Sequence, residues 1–220
     1  MIFGKIDFIN LLPLHIYLKK YPLPSGLKKA SEYKKGVPSK LNKDLFYRRV
    51  DAAVISSIES ARRKYKSLDL GICANKRVQS VILRKNSQDK KDKASASSNA
   101  LALALQARGE VIIGDRALRA YLQDPSEFID LCSLWYEKTK LPFVFARFSC
   151  TKNKAYFARI LKPFLRKKIF IPRYILQNYS NTRQISIKDI QFYLKELIYY
   201  KISHKEKRAL KLFLKMAKKR

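Results

Sequence analysis

Residues 36–62 read GVPSKLNKDLFYRRVDAAVISSIESAR. A Gly36-Val37-Pro38 turn feeds a helix that Ser39 is expected to cap, and an apolar run then stops abruptly at Ser56-Ser57. From Ala52 to Ile55 every residue is apolar, the pattern of a parallel strand covered by helices on both faces. In open α/β sheets, ligands gather outside the carboxyl ends of such strands. Two hydroxyls at that end, with a new helix expected behind them, predict a site for a small anion. The stretch therefore predicts an α/β protein.

Three further pieces fit the same frame. In KIDFINLLPLHIYL (5–18), a strand is expected from Ile2 to Ile9, which leaves Asn10 at a strand-to-helix turn facing the same crevice. Pro13 suits the first turn of the following helix, where its missing N–H costs nothing. The apolar run LPFVFARFS (141–149) follows a helical CSLWYEKTK. In EVIIGDRALRAYL (110–122), Val111 to Ile113 form a strand that Gly114-Asp115 break into a helix.

Composition narrows the class. A chain of 220 residues with 47% hydrophobic residues can bury a large core. Cys73, Cys132 and Cys150 form no C-x-x-C pair, and only His15 and His204 could join them, so no zinc site is expected. Lys5 and Asp7 interrupt the first apolar run and no small-residue cleavage site follows, so a cytoplasmic location is expected. No stretch reaches the roughly 20 apolar residues of a membrane helix.

The net charge of +31, from 48 Lys and Arg against 17 Asp and Glu, is the main rival signal. Such a balance suggests nucleic acid when it is focused on one face. Here it is spread through YLKKY, LKKASEYKK, ARRKYK, RKNSQDKKDK and MAKKR, with no recognised nucleic-acid-binding motif. No specific nucleic-acid partner is expected; a positive field would still speed the encounter with an anionic substrate.

In order, the pieces resemble the chorismate dehydratase family of the futalosine route to menaquinone. The resembling residues are FINLLP at 8–13, GVPSKLN at 36–42 and AAVISSIESAR at 52–62. They continue as VQSV at 78–81, IIGDRAL at 112–118 and WYEKTKLPFVFA at 135–146. The blocks are collinear, which isolated motifs are not. A sister enzyme of that route shares the fold, but the SSIE block and the GVPSKLN turn favour the dehydratase.

The resemblance implies an α/β, two-lobed periplasmic-binding-protein-like (type II) architecture with the active site between the lobes. Residues 1–77 would form the first part of lobe 1 and 78–145 lobe 2. Residues 146–220 would return to lobe 1 and add C-terminal helices, the last of them expected to pack on lobe 1. Lobe 2 is reduced: a longer family segment is compressed here into KASASSNALALAL (93–105). The implied reaction is cofactor-free dehydration of chorismate to 3-[(1-carboxyvinyl)oxy]benzoate. The same crevice could serve a non-catalytic binding protein for a small carboxylate, which is the alternative reading, with a basic nucleic-acid-binding protein ranked behind it. The oligomeric state is not legible.

The chemistry asks for two carboxylate grips and one orienting group. Hydroxyl-capped helix N-termini suit carboxylates because their orphan N–H groups point at the anion. Ser56 and Ser57 are assigned to one carboxylate, and Ser97, Ser98 and Asn99 to the other. Ser80, in VQSV, and Ser39 are further contacts, while Asn10 is assigned the catalytic role of orienting the reacting part of the ring. No base stands out. Glu59 is expected to stabilise a first helical turn, Asp115 to cap its own helix and His15 to be packed core. The expectation is therefore that the substrate's enolpyruvyl carboxylate takes the C3 proton.

Overall fold

The computed structural model describes residues 2–218, leaving aside the side chains of residues 27 and 31–33. The chain opens with β1 (Phe3–Gly4), a 3-10 turn (Ile9–Leu11), α1 (Leu12–Lys20), α2 (Ser25–Tyr33), α3 (Pro38–Phe46), β2 (Ala52–Ser56) and β3 (Lys66–Ala74). It continues through β4 (Val81–Arg84), α4 (Ala96–Leu105), β5 (Glu110–Ile113), α5 (Gly114–Gln123), β6 (Phe128–Asp130) and α6 (Leu131–Thr139). It closes with β7 (Phe143–Cys150), α7 (Lys154–Leu161), α8 (Arg173–Arg183), α9 (Ile187–Phe192), β8 (Tyr199–Lys201) and α10 (His204–Lys218).

Two sheets result: a five-stranded one ordered β1-β2-β7-β3-β8 and a three-stranded one ordered β5-β4-β6. The chain leaves the larger sheet after Ala74, builds the smaller one and rejoins the larger at Phe143. Strand β2 is buried along its whole length, as its apolar run requires. It is parallel only to β1, however; its other neighbour is β7, antiparallel, with Val54 opposite Phe148.

Several local expectations change. The first strand spans Phe3–Gly4 rather than Ile2 to Ile9, because Lys5 bridges to Lys35 and the chain then turns at Ile9–Leu11. No full helix follows Ser57: only the 3-10 turn Glu59–Ala61 separates β2 from β3. Helix α4 ends with Gln106 in the left-handed conformation (φ 60°). Pro13 does occupy the first turn of α1.

One hydrophobic cluster fills the larger sheet around Leu41, Ile55, Phe148 and Phe157. A second spans both sheets and contains Ile9, Val81, Ile113, Trp135, Phe143 and Phe213. Phe213 of α10 meets Phe143 of β7 at 4.9 Å and Trp135 of α6 at 6.2 Å between ring centroids. The last helix therefore seals the junction of the two sheets instead of packing on the larger one alone. Its start is fixed by a capping box, with Ser203 N–H donating to Glu206 Oε2 at 2.8 Å. Among the described residues no helix is long and apolar enough to cross a membrane.

Candidate functional site

The carboxyl end of β2, the Ile9–Leu11 turn, the approach to β4 and the N-terminus of α4 converge on one narrow cleft between the sheets. Of the eight residues assigned from sequence, Asn10, Ser56, Ser80 and Ser98 line this cavity. Its volume is about 50 Å³. Phe8, Val54, Ile113 and Phe145 supply much of its apolar wall.

Each polar group is held from behind. Ser56 N–H donates to Asn42 Oδ1 at 3.1 Å, and Asn42 Nδ2 donates to Ser56 Oγ at 3.1 Å. The Ser56 hydroxyl proton is thereby left for the cleft. Ser98 belongs to the first turn of α4; its N–H donates to Ser95 Oγ at 3.2 Å and its Oγ accepts from Ser95 Oγ at 2.8 Å. Ser95, which also lines the cleft, is thus the true cap of α4. Ser80 Oγ lies 2.8 Å from the Tyr193 hydroxyl. Asn10 is anchored through its main-chain carbonyl, which accepts from Tyr200 at 2.8 Å, while its side-chain Oδ1 is buried without a protein partner.

The other four assigned residues are engaged elsewhere. Ser57 Oγ and Ser97 Oγ sit 3.0 Å apart, and Ile58 N–H donates to Ser97 Oγ at 3.2 Å, so this pair ties the larger sheet to α4. Asn99 folds back on Asp92, accepting from its N–H at 2.9 Å and donating to its carbonyl at 2.8 Å. Ser39 does not cap α3: Val37 holds that position with no side-chain bond, and Ser39 N–H donates to the Ala94 carbonyl at 3.0 Å.

No described residue lining the cleft carries an ionisable side chain. Glu59 accepts from the Tyr65 hydroxyl at 2.9 Å and pairs with Arg62 at 2.8 Å, outside the lining. His15 is buried in α1 and borders a separate cavity of about 540 Å³. That cavity is roomier, yet it gathers apolar side chains and lysines and none of the cleft's hydroxyls.

Asp115 does not cap its own helix, where Ile113 is the cap. Its carboxylate instead accepts from Ile9 N–H at 2.9 Å and from Arg183 Nε at 2.9 Å, across from the turn that carries Asn10. Burial pushes its pKa above the usual carboxylate value, and the Ile9 N–H and Arg183 offset only part of that rise. The three cysteines are buried and unpaired, and burial raises each thiol. Among the described residues no group of three His, Cys, Asp or Glu could hold a metal ion.

Sequence reasoning missed Asn42, Ser95, Tyr193 and Tyr200. Ser95 had a readable signal, a serine three residues before Ser98 ahead of an apolar helix. The others lie far along the chain from their partners and carry no local pattern.

The sequence model of the menaquinone biosynthesis family matches residues 1–107 and 94–219. A protein of Campylobacter jejuni subsp. jejuni serotype O:23/36 (strain 81-176), named chorismate dehydratase, is 69% identical over 218 residues, covering 99% of this chain and 98% of that protein. Among solved structures, a protein from Archaeoglobus fulgidus superposes with a TM-score of 0.71 at 14% identity, covering 99% of this chain and 96% of that one. The periplasmic aliphatic sulphonate binding protein of Escherichia coli gives 0.53 at 12% identity, covering 100% and 86%. The fold is that of the periplasmic binding proteins, and the chain belongs to the menaquinone biosynthesis family.

Proposed function

We propose that this protein is a chorismate dehydratase, releasing water from chorismate to give 3-[(1-carboxyvinyl)oxy]benzoate in menaquinone biosynthesis. Its 69% identity to a chorismate dehydratase over nearly the whole chain supports the activity. The observation that carries the mechanism is the cleft: one amide and several hydroxyls converge in it, and among the described residues no ionisable side chain lines it.

The reaction breaks the C3–H and C4–O bonds and makes the ring aromatic. Electrons from C3–H form the C3=C4 bond as the C4 hydroxyl departs, and charge developing at C3 delocalises through the ring diene onto the C1 carboxylate. A site for this needs fixed donors at that carboxylate and one ring pose. We assign the carboxylates to the N-terminus of α4, with the Ser98 hydroxyl, and to Ser56, a reading supported by their shared position on the cleft wall. Asn10 and Ser80 orient the reacting carbon atoms. With no protein base on the cleft wall, the enolpyruvyl carboxylate takes the C3 proton and returns it to the departing hydroxide as water. Atoms and charge balance without any redox step.

A cavity of about 50 Å³ is far below the roughly 300 Å³ at which small-molecule pockets begin. The sheets must therefore part to admit chorismate, and 78–145 is the segment we assign to the moving lobe. We place the enzyme in the cytoplasm, a reducing compartment that suits three unpaired thiols.

Incubation with chorismate, followed by absorbance and mass, tests the assignment. Formation of the aromatic enol ether supports it. Tight binding without turnover supports a carboxylate-binding protein instead, and neither binding nor turnover rejects both.

A further inference from the structure

We propose that Tyr193 is a positioning residue for the dehydration: held behind the cleft wall, its hydroxyl bonds Ser80 and fixes which way Ser80 presents its proton to the substrate, beside the Asn10 acceptor. This inference rests on the chorismate dehydratase reading above.

Tyr193 is 2% exposed and begins a π-turn, Tyr193–Leu197, a rare helical form that recurs at functional sites. Its ring belongs to the core shared by both sheets, and the residue does not itself line the cleft. Its hydroxyl lies 2.8 Å from Ser80 Oγ. Two distant segments therefore meet at this one hydrogen bond: the approach to β4 and the turn after α9.

The direction of the bonds follows from proton counting. A buried phenol keeps its single proton, and burial raises this one strongly. Asn10 Oδ1, buried and without a protein partner, is an acceptor beside the cleft. The Tyr193 proton goes to Ser80 Oγ, which frees the Ser80 proton for the cleft. The wall thus offers an acceptor and a donor together.

Chorismate presents their counterparts on adjacent carbons. Its only neutral donor is the C4 hydroxyl, and the neighbouring C3 carries an ether oxygen that accepts. A Ser80 proton turned toward Tyr193 instead of the cleft would leave that ether oxygen without its donor and misalign the leaving group.

Tyr193→Phe keeps the ring and removes only the oxygen. In the full chain we expect kcat on chorismate to fall roughly 10- to 100-fold, with KM within roughly threefold of wild type. If the hydroxyl acts through Ser80, Tyr193→Phe combined with Ser80→Ala will lose no more than the worse single variant. Tyr17→Phe, which deletes another buried hydroxyl bond (to the Ile160 carbonyl, 2.6 Å), should leave kcat unchanged. An unchanged kcat in Tyr193→Phe, or losses that multiply in the double variant, would overturn the proposal. Should Tyr193→Phe not fold, Ser80→Ala alone decides, since a wild-type kcat there equally rejects the coupled chain. Wild-type protein that ignores chorismate would sink the underlying function first, a result separable from either of these.

Discussion

The Tyr200 hydroxyl donates to the main-chain carbonyl of Asn10 at 2.8 Å, joining positions 190 residues apart. Tyr200 stands on β8, the edge strand of the larger sheet, while Asn10 sits in the turn that opens α1. The C-terminal segment is therefore part of the cleft's frame. A hydrogen bond to the backbone fixes the turn without using the Asn10 side chain, which stays available to substrate.

Asn10→Ala should remove turnover, a loss of at least roughly 10²–10³-fold in kcat, the cost of deleting one preorganised polar contact to the reacting centre. Glu59→Gln, by contrast, should stay close to wild type, because Glu59 is spent on Tyr65 and Arg62. Steady-state kinetics on chorismate checks both. An inactive but folded Glu59→Gln enzyme would restore a protein base to the mechanism.

With no ionisable side chain among the described residues of the cleft wall, kcat should be nearly constant between about pH 6 and 9. A bell-shaped profile in that window would reveal a titrating enzyme group and contradict the substrate-as-base reading. The measurement is a pH series at saturating chorismate.

Ser97 accepts from Ile58 N–H and bonds Ser57, tying α4 to the larger sheet. Ser97→Ala leaves that N–H without its partner when the cleft is shut, a penalty of about 1–2 kcal/mol on the closed form. KM for chorismate should rise roughly 5- to 30-fold with a smaller effect on kcat. Small-angle scattering should show a larger radius of gyration. An unchanged KM would mean the tie is not part of closure.

Gly114 combines φ +72° with a position where a Cβ would meet the Phe8 ring at 3.0 Å. Both residues line the cleft, and Gly114 N–H donates to the Ser80 carbonyl at 2.8 Å. Gly114→Ala should cost about 1–2 kcal/mol through the backbone alone. It should also push Phe8 into the cleft and raise KM. Chemical denaturation and kinetics read the two effects separately.

Burial pushes the Asp7 carboxyl up, but the Tyr179 hydroxyl at 2.8 Å and Arg183 outweigh it, leaving its pKa below 3.8. A carboxyl lowered on folding contributes stability above its unfolded pKa and loses it as pH falls through the folded one. Asp115, raised on folding, has the opposite sign: its contribution is present at low pH and lost as pH rises through its folded value. Asp7→Asn should therefore flatten the acid limb of the stability curve below about pH 4. Melting temperatures at about pH 6 and pH 3 test this; an equally steep fall in the variant would refute it.

The boundaries that the chain encodes locally were readable. Ser186 accepts from Asp189 N–H at 3.0 Å, the Ser203 and Glu206 box opens α10, and Pro13 starts α1. The end of β2 at Ser56 was equally legible from its apolar run. Adjacent serines were not separable. Ser56 faces the cleft and Ser57 the tie to α4; Ser98 faces the cleft and Ser97 the reverse tie. Sequence alone also missed that β2 has an antiparallel partner, because a fully apolar strand reads the same beside either kind of neighbour.

By itself the sequence determined the family, the α/β pattern and the positions of caps and turns, since capping and hydrophobic periodicity act between residues at most a few positions apart. Only the tertiary structure decided which hydroxyls share the cleft, and that Tyr193 stands behind Ser80 and Tyr200 behind Asn10. Those relations depend on how two sheets meet and on contacts between segments far apart in the chain, where no local pattern constrains the choice.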